Sequence, residues 1–160
     1  MRTGPVIVGF DGTPASVWAV REAAALLAPR EALAVVVWEA GRNFQAAALP
    51  GRALELPPAT LDLRTAFRAE KAALEDAQRL AEHGAALATE AGLQGKGLAV
   101  ADDVTVADTL IRLARELDAQ AVVAGARYHR GLRRRVPGST LSGLLHGAPC
   151  PVVVCGVARP

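Results

Sequence analysis

The sequence predicts an α/β domain: a five-stranded parallel sheet with helices on both faces. Three observations carry that expectation. Short apolar runs recur along the chain at 5–10 (PVIVGF), 33–38 (LAVVVW), 98–101 (LAVA), 121–126 (AVVAGA) and 152–157 (VVVCGV). Runs of that length, bounded by turn residues, suit strands buried on both faces. Between them lie longer stretches with apolar residues at helical spacing, and strand-helix alternation implies parallel strands joined by right-handed crossovers. Finally, 160 residues, 51% of them hydrophobic, suffice for one domain with its own core.

The first run leads into Asp11-Gly12-Thr13-Pro14. Thr13 is placed to cap a helix whose first position suits Pro14. Val17, Val20, Ala24 and Leu27 then mark one helical face, and Pro29 ends the helix. After the second strand, 41–60 contains Pro50, Gly51, Pro57 and Pro58 and is expected to be an irregular, mobile loop. A long helix over 61–91 follows, its inner face marked by Ala73, Ala77, Leu80, Gly84, Leu87 and Ala91. Gly92, Gly95 and Gly97 are expected to break it before a short third strand at 98–101. Thr105 to Asp108 has capping-box form, and the helix behind it is expected to bury Val106, Leu110, Leu113 and Leu117. No internal repeat is visible, so 1–160 is read as a single domain.

Composition excludes several classes. The net charge of +2 does not by itself call for a nucleic-acid or membrane partner. No apolar run reaches the ~20 residues a membrane helix needs. No leader pattern precedes the first strand, so a cytoplasmic location is expected. Cys150 and Cys155 lie an odd number of residues apart, so they should face opposite sides of a strand as small buried residues.

Function concentrates in the last quarter of the chain. There the strand 121–126 runs into RYHRGLRRRVP, then Gly138-Ser139-Thr140 opens a short helix that stops at Pro149. Helix N-termini favour anions, because the first N–H groups lack intrahelical partners and the dipole points the same way. Strand, loop and helix start therefore form a candidate phosphate seat. Gly125, followed much later by Gly138-Ser139 and then by Ala148-Pro149-Cys150-Pro151-Val152, resembles the nucleotide motif of the universal stress protein (UspA-type) family. That motif has a second Gly three positions after the first, with two residues between; Tyr128 stands there in this chain. The resemblance covers nearly the whole sequence apart from 41–60.

What the resemblance implies is specific. The sheet should be doubly wound, in the order 3-2-1-4-5, Rossmann-like. Ligands of such sheets bind beyond the carboxyl ends of the strands where the winding reverses, here between strands 1 and 4. The ligand implied is an adenine nucleotide, ATP in the first instance, with Mg as an optional companion of its phosphates. Asp11 would meet the ribose or the adenine edge, unless it only hydrogen-bonds its own turn. Val37 would meet the adenine, with Trp38 the alternative one residue on. Ala124 and Gly125 would pass close to the ribose, and Gly138, Ser139 and Thr140 would hold phosphates. Arg127, with the arginines that follow it and His129, reads as a phosphate clamp, a nucleic-acid patch or a solvated basic loop. The family also implies a homodimer through the last strand, from Val152 to Val157.

Enzyme signatures are missing from the sequence. It contains no GxxxxGK[ST], no GxGxxG after the first strand and no GxSxG, and His83, His129 and His146 are isolated. Asp102-Asp103 suits either a cation or a helix start. The sequence thus favours a nucleotide-binding regulatory protein whose ATP hydrolysis, if any, is slow. The competing reading is an interaction module of the same fold, its motif broken by Tyr128.

Overall fold

The structure is a computed structural model that describes residues 2–28, 30–41, 63–126 and 139–156. Its elements, in chain order, are β1 (Val6–Gly9), α1 (Pro14–Leu27), β2 (Glu31–Trp38), α2 (Leu63–Glu90), β3 (Gln94–Ala101), α3 (Val106–Glu116), β4 (Ala121–Ala126), α4 (Ser139–Gly147) and β5 (Val152–Gly156). The strands form one sheet in the order β3-β2-β1-β4-β5. Every neighbouring pair is parallel. The doubly wound α/β fold expected from the sequence is therefore present.

Strand alternation divides the core into two layers. Val6, Val8, Ala32, Ala34 and Val36 point to one face and pack with Ala19, Val20 and Ala23 of α1 and Ala77, Ala81 and Ala88 of α2. Ile7, Val35, Val122 and Ala124 point to the other, against Leu110, Ile111 and Leu113 of α3 and Leu144 of α4. Period-two side-chain placement puts successive residues of one strand into different layers. Cys155, buried in β5, joins the first layer, whereas Cys150 lies before the strand rather than on it, is half-buried and borders the second. Burial pushes both thiols above the ordinary cysteine value.

The helix ends follow the sequence chemistry. The Thr13 hydroxyl accepts from the Ser16 N–H, and Pro14 takes the first turn of α1. The Thr105 hydroxyl accepts from the Asp108 N–H at 3.1 Å and donates to the Asp108 carboxylate at 2.7 Å. At the end of α2, the Gly92 N–H donates to Thr89 O and the Leu93 N–H to Ala88 O, both at 3.0 Å. Gly92 has φ +100°, the left-handed residue that this type of helix stop requires.

Two expectations are corrected. β3 starts at Gln94 rather than at 98, so Gly95 and Gly97 are strand residues and not part of a helix break. A Cβ on Gly95 would stand 2.2 Å from Ala85 O, and one on Gly97 2.7 Å from Ala81 C and O. These glycines let the backbone of α2 lie directly on the strand. In α3, Val106 and Leu117 are 40% and 38% exposed, while Ala107, Ile111 and Ala114 complete the buried face instead. The inner stripe starts one position later than expected, at Ala107, and stops at Ala114 before reaching Leu117. The arginine-rich segment with Arg127, Tyr128 and His129, together with Gly138, residues 42–60 of the irregular segment and Val157, lies outside the described residues.

Candidate functional site

β1, β2 and β4 end at the same edge of the sheet, and α1 and α3 start there. The winding direction reverses between β1 and β4, which leaves an open crevice. It holds a cavity of about 430 Å³, within the size range of small-molecule sites. Its lining includes Gly9, Phe10 and Asp11 after β1, Val35 and Val37 of β2, and Ala124 and Gly125 of β4. Thr13 and Ser16 of the α1 start, Val106 and Leu110 of α3, and Ser139, Thr140 and Leu141 of α4 complete it.

Six of the eight residues singled out from the sequence meet here: Asp11, Val37, Ala124, Gly125, Ser139 and Thr140. The other two, Arg127 and Gly138, lie outside the described residues. Of Val37 and Trp38, Val37 lines the cavity. Trp38 points to the opposite face and packs against the α1/α2 layer, as strand alternation requires. Sequence reasoning missed Phe10, Ser16, Val35 and Leu141 and assigned Thr13, Val106 and Leu110 only to caps and core. For Thr13 and Ser16 the signal was their position just after Asp11, where a helix start turns toward the sheet edge.

Asp11 is held by its own turn. Its Oδ1 accepts from the Thr13 N–H at 3.1 Å and from the Thr13 hydroxyl at 2.5 Å. The Asp11 N–H in turn points at the Ser16 hydroxyl, 3.4 Å away, and that hydroxyl donates to Thr13 O at 3.0 Å. An aspartate bonding two residues ahead is the local turn that its side chain favours. Ser16 is only 4% exposed. The turn therefore presents an acidic group with a fixed orientation at the mouth of the crevice.

Gly125 has a role that the sequence did not reveal. A Cβ there would stand 2.3 Å from the carbonyl oxygen of Ala15 and 2.9 Å from the Ser16 nitrogen. The missing side chain lets the first turn of α1 rest on the end of β4, which fixes Thr13 and Ser16 at the crevice. Packing of helix on strand is thus a requirement on this glycine, which also lines the cavity.

The remaining polar candidates are engaged elsewhere. Asp103 accepts from Arg112 Nε at 2.8 Å, and its N–H donates to the buried Thr109 hydroxyl. Asp102 Oδ1 accepts from the Ala40 N–H. Both acids thus tie the loop after β3 to its neighbours. His83 sits beside the Phe10 ring at 6.1 Å between centroids. His146 Nδ1 lies 2.7 Å from Ser142 O, one helical turn earlier. Among the described residues no group of three or more His, Cys, Asp or Glu is placed to hold a metal ion. No described helix is long and apolar enough to cross a membrane.

Fold and crevice together define a doubly wound α/β protein with an open cavity at its switch point, apolar on the β2 side and polar at two helix starts. The universal stress protein family model matches residues 3–156, and the chain belongs to that family. No curated protein matches it. Among solved structures, the hypothetical protein MJ0577 superposes with a TM-score of 0.72 at 12% identity, with 100% of both chains covered. A universal stress protein from Archaeoglobus fulgidus in complex with dAMP gives 0.61 at 17% identity, covering 96% of this chain and 98% of that one. A universal stress protein in complex with cAMP gives 0.61 at 20% identity, covering 99% and 100%.

Proposed function

We propose that this protein binds an adenine nucleotide in the crevice between β1 and β4 and acts as a regulatory binder rather than a catalyst. The observation that carries the proposal is the cavity of about 430 Å³ joining an apolar slot to the start of α4. Val35, Val37 and Leu110 suit the face of a base, and Asp11 suits a ribose hydroxyl. Ser139 and Thr140, at the first turn of α4, suit phosphate oxygens through hydroxyls and free N–H groups. Gly138 and Arg127 extend the phosphate seat on sequence grounds. The dAMP and cAMP held by two structural neighbours support adenine as the base. ATP, with Mg on its phosphates, is the finer form of the proposal.

The departure at Tyr128 favours one competing reading, a dimeric module of the same fold without nucleotide. In either case we propose a homodimer through β5, an edge strand whose Val154 is 42% exposed. Two-fold pairing covers an apolar edge that would otherwise invite aggregation.

The test is to extract bound nucleotide from purified protein and to titrate the stripped protein with ATP, AMP and cAMP by calorimetry. Saturable binding by the parent and its loss in Gly138→Trp support the proposal, because the indole would block the helix start. A stripped, folded protein that binds none of the three at millimolar concentration leaves the module reading in its place.

A further inference from the structure

We infer that Val106 is a specificity-determining residue: it forms the outer apolar wall of the slot that takes the flat face of the base. This inference rests on the adenine-nucleotide reading above. Val106 is the first residue of α3. Leu110 and Leu113 stand one and two turns further along the same helical column, at 2% and 6% exposure. Val106 continues that column yet is 40% exposed. The cause is topological. α3 follows β3, so its first turn lies at the carboxyl edge of the parallel sheet, where the strands that cover Leu110 and Leu113 have ended. What Val106 meets there is the cavity, with Val35 and Val37 of β2 and Leu141 of α4.

A valine gains little for the helix in this place. The first turn favours acidic and capping side chains, which complement the helix dipole, and an apolar side chain left facing water contributes no burial. A planar base in the slot would remove that surface from water and supply the partner that the sheet does not. The polar lining comes mainly from other segments, namely the turn after β1, the start of α1 and the start of α4. An apolar slot of this kind selects a base by shape and by its uncharged face, and not by side-chain hydrogen bonds.

Val104 provides the control. It lies two residues earlier, is 87% exposed and does not line the cavity. Val106→Ala and Val104→Ala are compared with the parent by calorimetric titration with AMP, alongside thermal melts. Removing two methyl groups from a wall buried by the ligand should weaken AMP by roughly five- to tenfold, while Val104→Ala binds as the parent does. In the parent with labelled valine methyls, the Val106 methyls should show nuclear Overhauser contacts to the base protons of bound AMP. Parent-like affinity in Val106→Ala, or no methyl-to-base contact, overturns the inference and leaves nucleotide binding intact. A parent that binds no adenine nucleotide overturns both, and the two failures are told apart by the parent titration alone.

Discussion

Gly125→Ala should be among the most damaging single-methyl additions in this protein. The added Cβ would stand 2.3 Å from Ala15 O, 2.4 Å from Ala15 C and 2.9 Å from Ser16 N. All three neighbours are backbone atoms, so no rotamer change relieves the clash. The first turn of α1 has to lift from β4, and Ala15 and Ser16 are 6% and 4% exposed in the turn that must move. Overpacking a rigid site costs about 1–3 kcal/mol, and backbone neighbours put this case at the upper end. For a chain of this size about 3 kcal/mol corresponds to a fall in Tm of roughly 6–12 °C. Gly125 is not among the described glycines with positive φ, so the expected cost is steric and not conformational. Gly92→Ala is the useful contrast, since its φ is +100° and nothing lies within 4 Å of the new Cβ. It should cost about 1–2 kcal/mol through backbone strain alone. The assay is urea unfolding of parent and both variants, with no nucleotide present. A Gly125→Ala variant as stable as the parent would refute the account of this glycine as a packing residue. The motif glycine would then have to be explained by ligand access.

Further expectations concern assembly and pH. Val153 packs into the α1/α2 layer whereas Val154 is exposed, so Val154→Lys alone is the clean probe of edge pairing: light scattering should give a dimer for the parent and a monomer for the variant, and a monodisperse parent monomer at tens of micromolar would sink the proposed dimer. Burial, and then the nearby Glu22, holds the Cys155 thiol above the ordinary cysteine range. The unfolded chain therefore loses this proton first as pH rises, so stability should decline from about pH 9 upward. Cys155→Ala should flatten that part of the profile in pH-dependent urea melts, and an unchanged slope would argue against the assignment.

Much of the architecture was legible because apolar periodicity reports burial directly. Continuous runs such as VIVG and AVVA mark strands covered on both faces, and Thr13-Pro14 and Thr105 to Asp108 announce helix starts through local hydrogen bonds. What escaped were features decided by a partner distant in sequence. Gly95 and Gly97 looked like helix breakers because a glycine's local meaning is flexibility. Their actual requirement is set by Ala85 and Ala81 of α2, whose backbone lies against them. Strand order has the same character, since periodicity shows that strands exist and not which are neighbours. The order was available only through the family motif.

The site was legible for a different reason. Asp11, Val37, Ala124 and Gly125 each sit at or just beyond the carboxyl end of a strand, and a parallel sheet brings those ends together whatever the loops do. Ser139 and Thr140 arrive through α4, whose Gly143 lies so close to α3 that a Cβ there would stand 2.6 Å from the Cβ of Ala107. Val106 was misread for the converse reason. Its helical spacing matched a core column, and spacing cannot tell where along that column the sheet ends. On the proposed reading, an apolar residue that keeps the period of the core but outruns its cover is the signature of a binding wall. Here that signature and the switch-point crevice coincide, although one comes from exposure along α3 and the other from strand order. Their agreement ties the crevice to the fold itself: the same edge that terminates the core opens the cavity.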